Sequence, residues 1–178
     1  VRRIAIIGNG GGGKSLLARD LGRALDLPVH TVDNVQWQAE WVRAPLDVVE
    51  RTYAEWLTSP DWIIDGWGSW QILEQRFAAA DTIIFVDFPL WRHCWWALKR
   101  QIEVTVGLRD DWPPPGCNAL PITGRLLRVL VRVHREHRPR LIEMLSDPVV
   151  RSRVVHVRSP RELVRFREQA LGGALSAG

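Results

Sequence analysis

Short apolar runs alternate with helix-length amphipathic segments along this chain. Arg3 to Ile7 is almost wholly apolar and predicts a buried strand, ended by a glycine-rich turn. Ser15 to Leu25 carries Leu17, Leu21 and Leu25 at helical spacing, and Pro28 to Val32 predicts a second short strand. Pro45 to Leu57 reads as a helix with Leu46, Val49, Tyr53 and Trp56 on one face. Asp61 to Asp65 predicts a third strand, ended by Gly66, and Trp70 to Ala80 a helix. Thr82 to Asp87 predicts a fourth strand that Pro89 stops, followed by a long helix from Leu90 to Val106. Gly107 to Gly124 holds four prolines, three glycines and two adjacent aspartates, the composition of a loop or lid. Beyond it the pattern predicts a helix over 125–145 bent at Pro139, a fifth strand over 153–157 and a last helix over 160–171, frayed from Gly172. Strands that alternate with helices and stay apolar throughout point to an α/β fold with a parallel sheet covered on both faces. No repeat or linker divides the chain, so one domain over 1–178 is expected, with its lid at about 107–124.

With 178 residues, 46% hydrophobic and 25% charged, the chain has the composition of an ordinary globular domain. Disorder, collagen-like repeats and a disulfide scaffold are excluded on that ground. The longest apolar runs are too short to span a bilayer, so no membrane association is expected. The start, Val1-Arg2-Arg3-Ile4, has no signal-peptide pattern, and the two cysteines have no metal or disulfide spacing, so a reducing, cytoplasmic setting is expected. The net charge of +4 is uneven: residues 121–178 hold 12 basic and 5 acidic side chains. That basic third fits either a polyanion partner or an arginine-favouring, GC-rich coding sequence. The ten tryptophans all lie between Trp37 and Trp112, where they can wall an aromatic pocket or pack helices on a sheet.

The sharpest signal is Gly8-Asn9-Gly10-Gly11-Gly12-Gly13-Lys14-Ser15, a full match to G-x-x-x-x-G-K-[ST] between a predicted strand and a predicted helix. Glycines let the backbone curl so that its N–H groups converge on phosphate oxygens, and the helix N-terminus adds positive potential. This Walker A pattern makes Gly8 to Ser15, with Leu16 just beyond, the expected ATP-binding segment. Lys14 is placed to reach the β- and γ-phosphates, and the Ser15 hydroxyl to ligate Mg²⁺. No Asn/Thr-Lys-x-Asp guanine signature is present, which argues against a GTPase.

With that motif, Val32-Asp33, Ile64-Asp65-Gly66 and Asp87-Phe88-Pro89 follow the second, third and fourth strands in order. Together with Trp95 to Arg100, Arg109-Asp110, Gly116-Cys117 and Arg138-Pro139, they make nearly the whole chain resemble the P-loop kinases of the adenylate-kinase-like group. Within that group it looks closest to topology modulation proteins and adenylate kinase-related kinases. The resemblance implies a three-layer P-loop NTPase fold, a five-stranded parallel sheet of order 2-3-1-4-5 with helices on both faces and a lid. It also implies Asp65 in the Mg²⁺ shell, Asp33 beside an acceptor hydroxyl, and Arg92, Arg100 and Arg109 as suppliers of positive charge to the transferring phosphoryl group.

Asp33 leaves a strand at the carboxyl edge of the sheet, where ligands of open parallel sheets bind. A carboxylate there can orient a hydroxyl and accept its proton, or can equally close an Asx turn. Asp87 suits a cap for the helix starting after Pro89. Arg128, Arg132 and Arg135 fall on one helix face, as a nucleotide contact or a solvated basic face; His134 and His137 read as surface histidines. The expected function is an ATP- and Mg²⁺-dependent small-molecule kinase with a hydroxyl acceptor. The alternatives are a nucleoside monophosphate kinase and a nucleotide-dependent regulatory or DNA-associated protein, although no nucleic-acid motif is present. Adenylate kinases hold the acceptor phosphate with arginines after the second and third strands. Here those segments read Asn34 to Trp37 and Trp67 to Trp70, so an acceptor without negative charge is expected unless Arg43 or Arg76 folds back.

Overall fold

The computed structural model describes residues 1–108, 113 and 116–175. Its centre is β1 (Arg3–Gly8), which pairs in parallel with β3 (Trp62–Asp65) on one side and β4 (Thr82–Val86) on the other. The edges are β2 (Val29–Thr31) and β5 (Val154–Val157), giving one five-stranded parallel sheet of order β2-β3-β1-β4-β5. Alternate residues of β1 face opposite layers. Ala5 and Ile7 join one core with Tyr53, Leu73, Phe77 and Leu141, while Ile4 and Ile6 join another with Leu17, Leu21 and Val157. The first layer is built by α3 (Leu46–Thr58), α4 (Trp70–Ala79) and α7 (Arg138–Ser146), and the second by α1 (Lys14–Leu25) and α9 (Pro160–Leu175). Each aliphatic side chain fully buried in these cores contributes about 1.5–3 kcal/mol.

The pattern-based elements recur within a few residues, with three physical differences. The second strand stops at Thr31, because Val32 turns into a short helix, α2 (Val32–Gln36), and tucks into the core. The helix expected over 125–145 is two helices, α6 (Thr123–Arg132) and α7, joined by a π-helical turn over Val133–His137. Pro139 has no N–H to continue the ladder, and the turn widens just ahead of it. A further helix, α8 (Pro148–Arg151), starts where the Asp147 carboxylate accepts from the Val149 N–H at 2.8 Å and Pro148 opens the first turn. The long helix is observed as α5 (Leu90–Thr105), and the chain stays helical past Gly172.

The expected lid lies partly outside the described residues. Its described C-terminal part is tied down: the Gly116 carbonyl accepts from Glu40 at 3.0 Å, and the Ala119 carbonyl from Gln101 at 3.1 Å. No helix among the described residues is long and apolar enough to cross a membrane.

Candidate active site

All the strands end at the same side of the sheet, and a cleft of about 1060 Å³ opens there, lined by Asn9 through Leu16. Gly8 lies outside the lining and turns the chain at the end of β1, where a Cβ would collide with the Val86 carbonyl. Gly11 sits at φ +71° against the His93 carbonyl, so a side chain is excluded there by conformation and by space. Gly13 precedes α1 without a side-chain cap, which leaves the first-turn N–H groups of that helix open to an anion. Lys14 donates to the Asn9 carbonyl at 2.9 Å. The enclosed setting of its ammonium lowers the Lys14 pKa, with Asp65 and Asp33 acting in the opposite direction and Arg100 adding to the decrease.

Asp65 is the last residue of β3, beside Ile6 of β1 and Thr31 of β2, and it is buried. Its Oδ2 accepts from the Ser15 hydroxyl at 2.6 Å, while its Oδ1 is buried with no partner among the described residues. A buried carboxylate oxygen left without a donor, next to a hydroxyl at the start of the helix that follows the glycine-rich loop, is a donor set that fits a hard cation such as Mg²⁺. Asp33 is in the first turn of α2 and opens into the same cleft. Its carboxyl is accessible from the cleft, but protein surrounds it. That desolvation pushes its pKa up, and nearby Asp65 adds to the rise against Lys14 and Arg100.

The arginines separate. Arg100 lines the cleft and acts electrostatically on both Lys14 and Asp33. Arg92 is not brought to the cleft; one turn into α5, its guanidinium rests over the Trp91 ring at 4.5 Å. Arg109 lies outside the described residues. Arg128 and Arg132 line the cleft from α6, whereas Arg135 does not.

Two further cations reach the cleft: Arg43, one of the two arginines the sequence left free to fold back, and Arg125, which it did not single out. Trp37 and Arg43 form an antiparallel bridge that folds Arg43 back over the Trp37 ring at 5.5 Å, and Arg125 approaches the same ring at 6.0 Å. Among the described residues neither meets a carboxylate within 4.0 Å. The tryptophans serve both expected ends. Trp37, Trp41, Trp67, Trp70 and Trp96 line the cleft, and Trp62 is buried in the core. Trp91 and Trp95 are exposed, and Trp112 lies outside the described residues. Trp67 donates to the Gly8 carbonyl at 3.0 Å, which ties the end of β3 to the phosphate loop. His137 is stacked on Trp70 at 5.6 Å in the π-helical turn.

No pattern in the sequence points to His93. It is 1% exposed, and its Nδ1 lies 2.8 Å from the Gly10 carbonyl, which fixes Nδ1 as the protonated nitrogen. Burial, reinforced by Lys14, holds its pKa down at about 4. Asp87 is no helix cap: Arg138 grips it with two hydrogen bonds at 2.6 and 2.8 Å, and His156 adds a third at 2.9 Å.

No protein-family model matches the chain, and no curated protein matches it. Solved structures do. A shikimate kinase from Acinetobacter baumannii in complex with shikimate aligns at 13% identity and a TM-score of 0.52, over 99% of this chain and 94% of that one. An uncharacterized protein from Eubacterium ventriosum aligns at 11% identity and a TM-score of 0.51, over 97% of each chain. Strand order and these likenesses together show a three-layer P-loop NTPase fold.

Proposed function

We propose that the chain is an ATP- and Mg²⁺-dependent small-molecule kinase of the adenylate-kinase-like group. One observation carries the reading: Asp65, with an unpartnered buried oxygen, is hydrogen-bonded to Ser15 at the foot of the phosphate loop, and Asp33 opens into the same cleft. The loop N–H groups and Lys14 would hold the β- and γ-phosphates, and Ser15 and Asp65 the metal. Bound Mg²⁺ would neutralise phosphate charge. An acceptor hydroxyl next to Asp33 would attack the γ-phosphorus and pass its proton to the carboxylate as ADP leaves. Arg100 and the α6 arginines would meet the charge that builds on the transferring group.

The expectation of an acceptor without negative charge allowed for Arg43 folding back, and the positions of Arg43 and Arg125 support an acceptor with an anionic group instead. Two guanidiniums without carboxylate partners among the described residues, around one cleft-lining ring, suit an anionic group on the acceptor. The same pair supports a second reading, a nucleoside monophosphate kinase. A screen for ADP release with hydroxycarboxylic acids, sugars, nucleosides, aminoglycosides and nucleoside monophosphates decides between them. Anionic hydroxyl compounds are expected to react fastest. Asp33→Asn is expected to cut turnover about 10²–10⁴-fold with ATP affinity preserved. Full activity in that variant, as expected for an acceptor that needs no base, would turn the reading toward the nucleotide kinase.

A further inference from the structure

Arg76, on the last turn of α4, is fully buried. Its Nη2 donates to the Gly66 carbonyl at 2.7 Å, while Nε and Nη1 have no partner and no carboxylate lies within ion-pair distance among the described residues. Two other buried polar atoms nearby share that condition, the Tyr53 hydroxyl and Asp65 Oδ1, and both side chains lie within electrostatic reach of the guanidinium. Packing alone does not account for a cation here. Removing a guanidinium from water costs several kcal/mol, and an apolar side chain of similar volume would avoid that cost. What Arg76 does hold is the corner that follows β3. Asp65 precedes the Gly66 carbonyl it grips, and Trp67 just beyond is fastened to the phosphate loop through the Gly8 carbonyl.

We propose that Arg76 is a positioning residue for the metal-binding carboxylate: by gripping the Gly66 carbonyl and placing a fixed positive charge behind Asp65, it holds the Ser15–Asp65 pair in the orientation that takes Mg²⁺ with ATP. The inference rests on the reading of Ser15 and Asp65 as metal ligands. It adds a residue that touches neither metal nor nucleotide, and whose removal weakens the metal rather than the nucleotide. Partners one step outside a metal's ligands typically change metal affinity about 10–100-fold.

The test is calorimetry of a non-hydrolysable ATP analogue, with and without Mg²⁺, on the full chain. Arg76→Met is expected to bind the metal-free analogue within about twofold of wild type, while Mg²⁺ half-saturation rises at least about tenfold. Arg76→Lys keeps the charge but not the planar fork, so its half-saturation is expected to rise only about threefold. A folded Arg76→Met with a lower melting temperature and wild-type Mg²⁺ dependence would reduce Arg76 to a packing residue. Should that variant fail to fold, an unchanged Mg²⁺ half-saturation in Arg76→Lys overturns the inference in the same way. A wild type that binds the analogue equally with and without Mg²⁺ removes the metal reading itself, and this inference with it.

Discussion

At the scale of single residues, the least legible group is the one most firmly built into the phosphate loop. Nothing in the spacing of α5 distinguishes His93 from an ordinary polar residue. Its meaning comes from the helix meeting the loop, with its ring against Gly12 and its Nδ1–H on the Gly10 carbonyl. The loop itself was readable because phosphate binding demands glycines, a lysine and a hydroxyl at fixed spacing. The support beneath it was not, because any neutral donor of the right size would do. Protonating His93 costs the folded state, since its folded pKa of about 4 lies below the unfolded value near 6.5. Its contribution is thus fully present above pH ~6.5 and is lost progressively as pH falls toward 4, about 3 kcal/mol over the full window. Urea melts between pH 7 and 4 should show this loss, and His93→Gln should flatten the curve over the same range. Parallel curves for the two proteins would remove His93 as its source.

At the scale of elements, the alternation of apolar strands and amphipathic helices was enough to order the sheet, because a parallel strand buried on both faces leaves a continuous apolar run. What the pattern missed are places where one side chain redirects the backbone, the early end of β2 and α8; it expected a bend at Pro139, but not the π-helical turn just ahead of it. The Asp87 assignment failed for a similar reason. A carboxylate before a proline reads as a cap, but its partners come from 51 and 69 residues away. Those bonds join the end of β4 to α7 and β5. Burial raises the Asp87 pKa, but hydrogen bonds and charge from Arg138 and His156 outweigh it, and the net shift is downward. The stability it contributes is present above the unfolded carboxyl pKa and is lost as pH falls through the lower folded one. Asp87→Asn is expected to destabilise the fold by about 2 kcal/mol, less than the ~3–5 for a fully buried pair because the Arg138 side chain is 37% exposed. Chemical denaturation at pH 7 and pH 3 checks it: the gap between variant and wild type should narrow at the lower pH.

At the scale of the whole molecule, the cleft is where separate elements converge, and its phosphate-loop side was legible while the side around Trp37 was not. The phosphate-loop side comes from two strand ends and one loop, marked locally by Lys14, Ser15 and Asp65. The side around Trp37 needs the hairpin that returns Arg43, a fold-back the sequence offered without fixing it, and the helix that brings Arg125 beside them, which no local pattern announces. The phosphate loop also meets α6, whose Leu130 carbonyl accepts from Asn9 at 2.8 Å, so a ligand held by the loop is bound where β1, α1, α5 and α6 meet. A ligand that binds the folded form at 100 times its dissociation constant adds about 2.7 kcal/mol. In a domain of this size each kcal/mol raises the melting temperature by about 2–4 °C. Mg²⁺ with ATP at that excess should therefore raise the melting temperature by about 5–11 °C, and Mg²⁺ alone by much less. Lys14→Ala removes the ammonium of the phosphate loop and, on the proposed function, should lose most of the ATP-dependent rise at the same concentrations. Differential scanning calorimetry distinguishes the outcomes. An equal rise in the variant would place the nucleotide elsewhere than the phosphate loop, and no rise in the wild type would remove ATP as the ligand of the cleft.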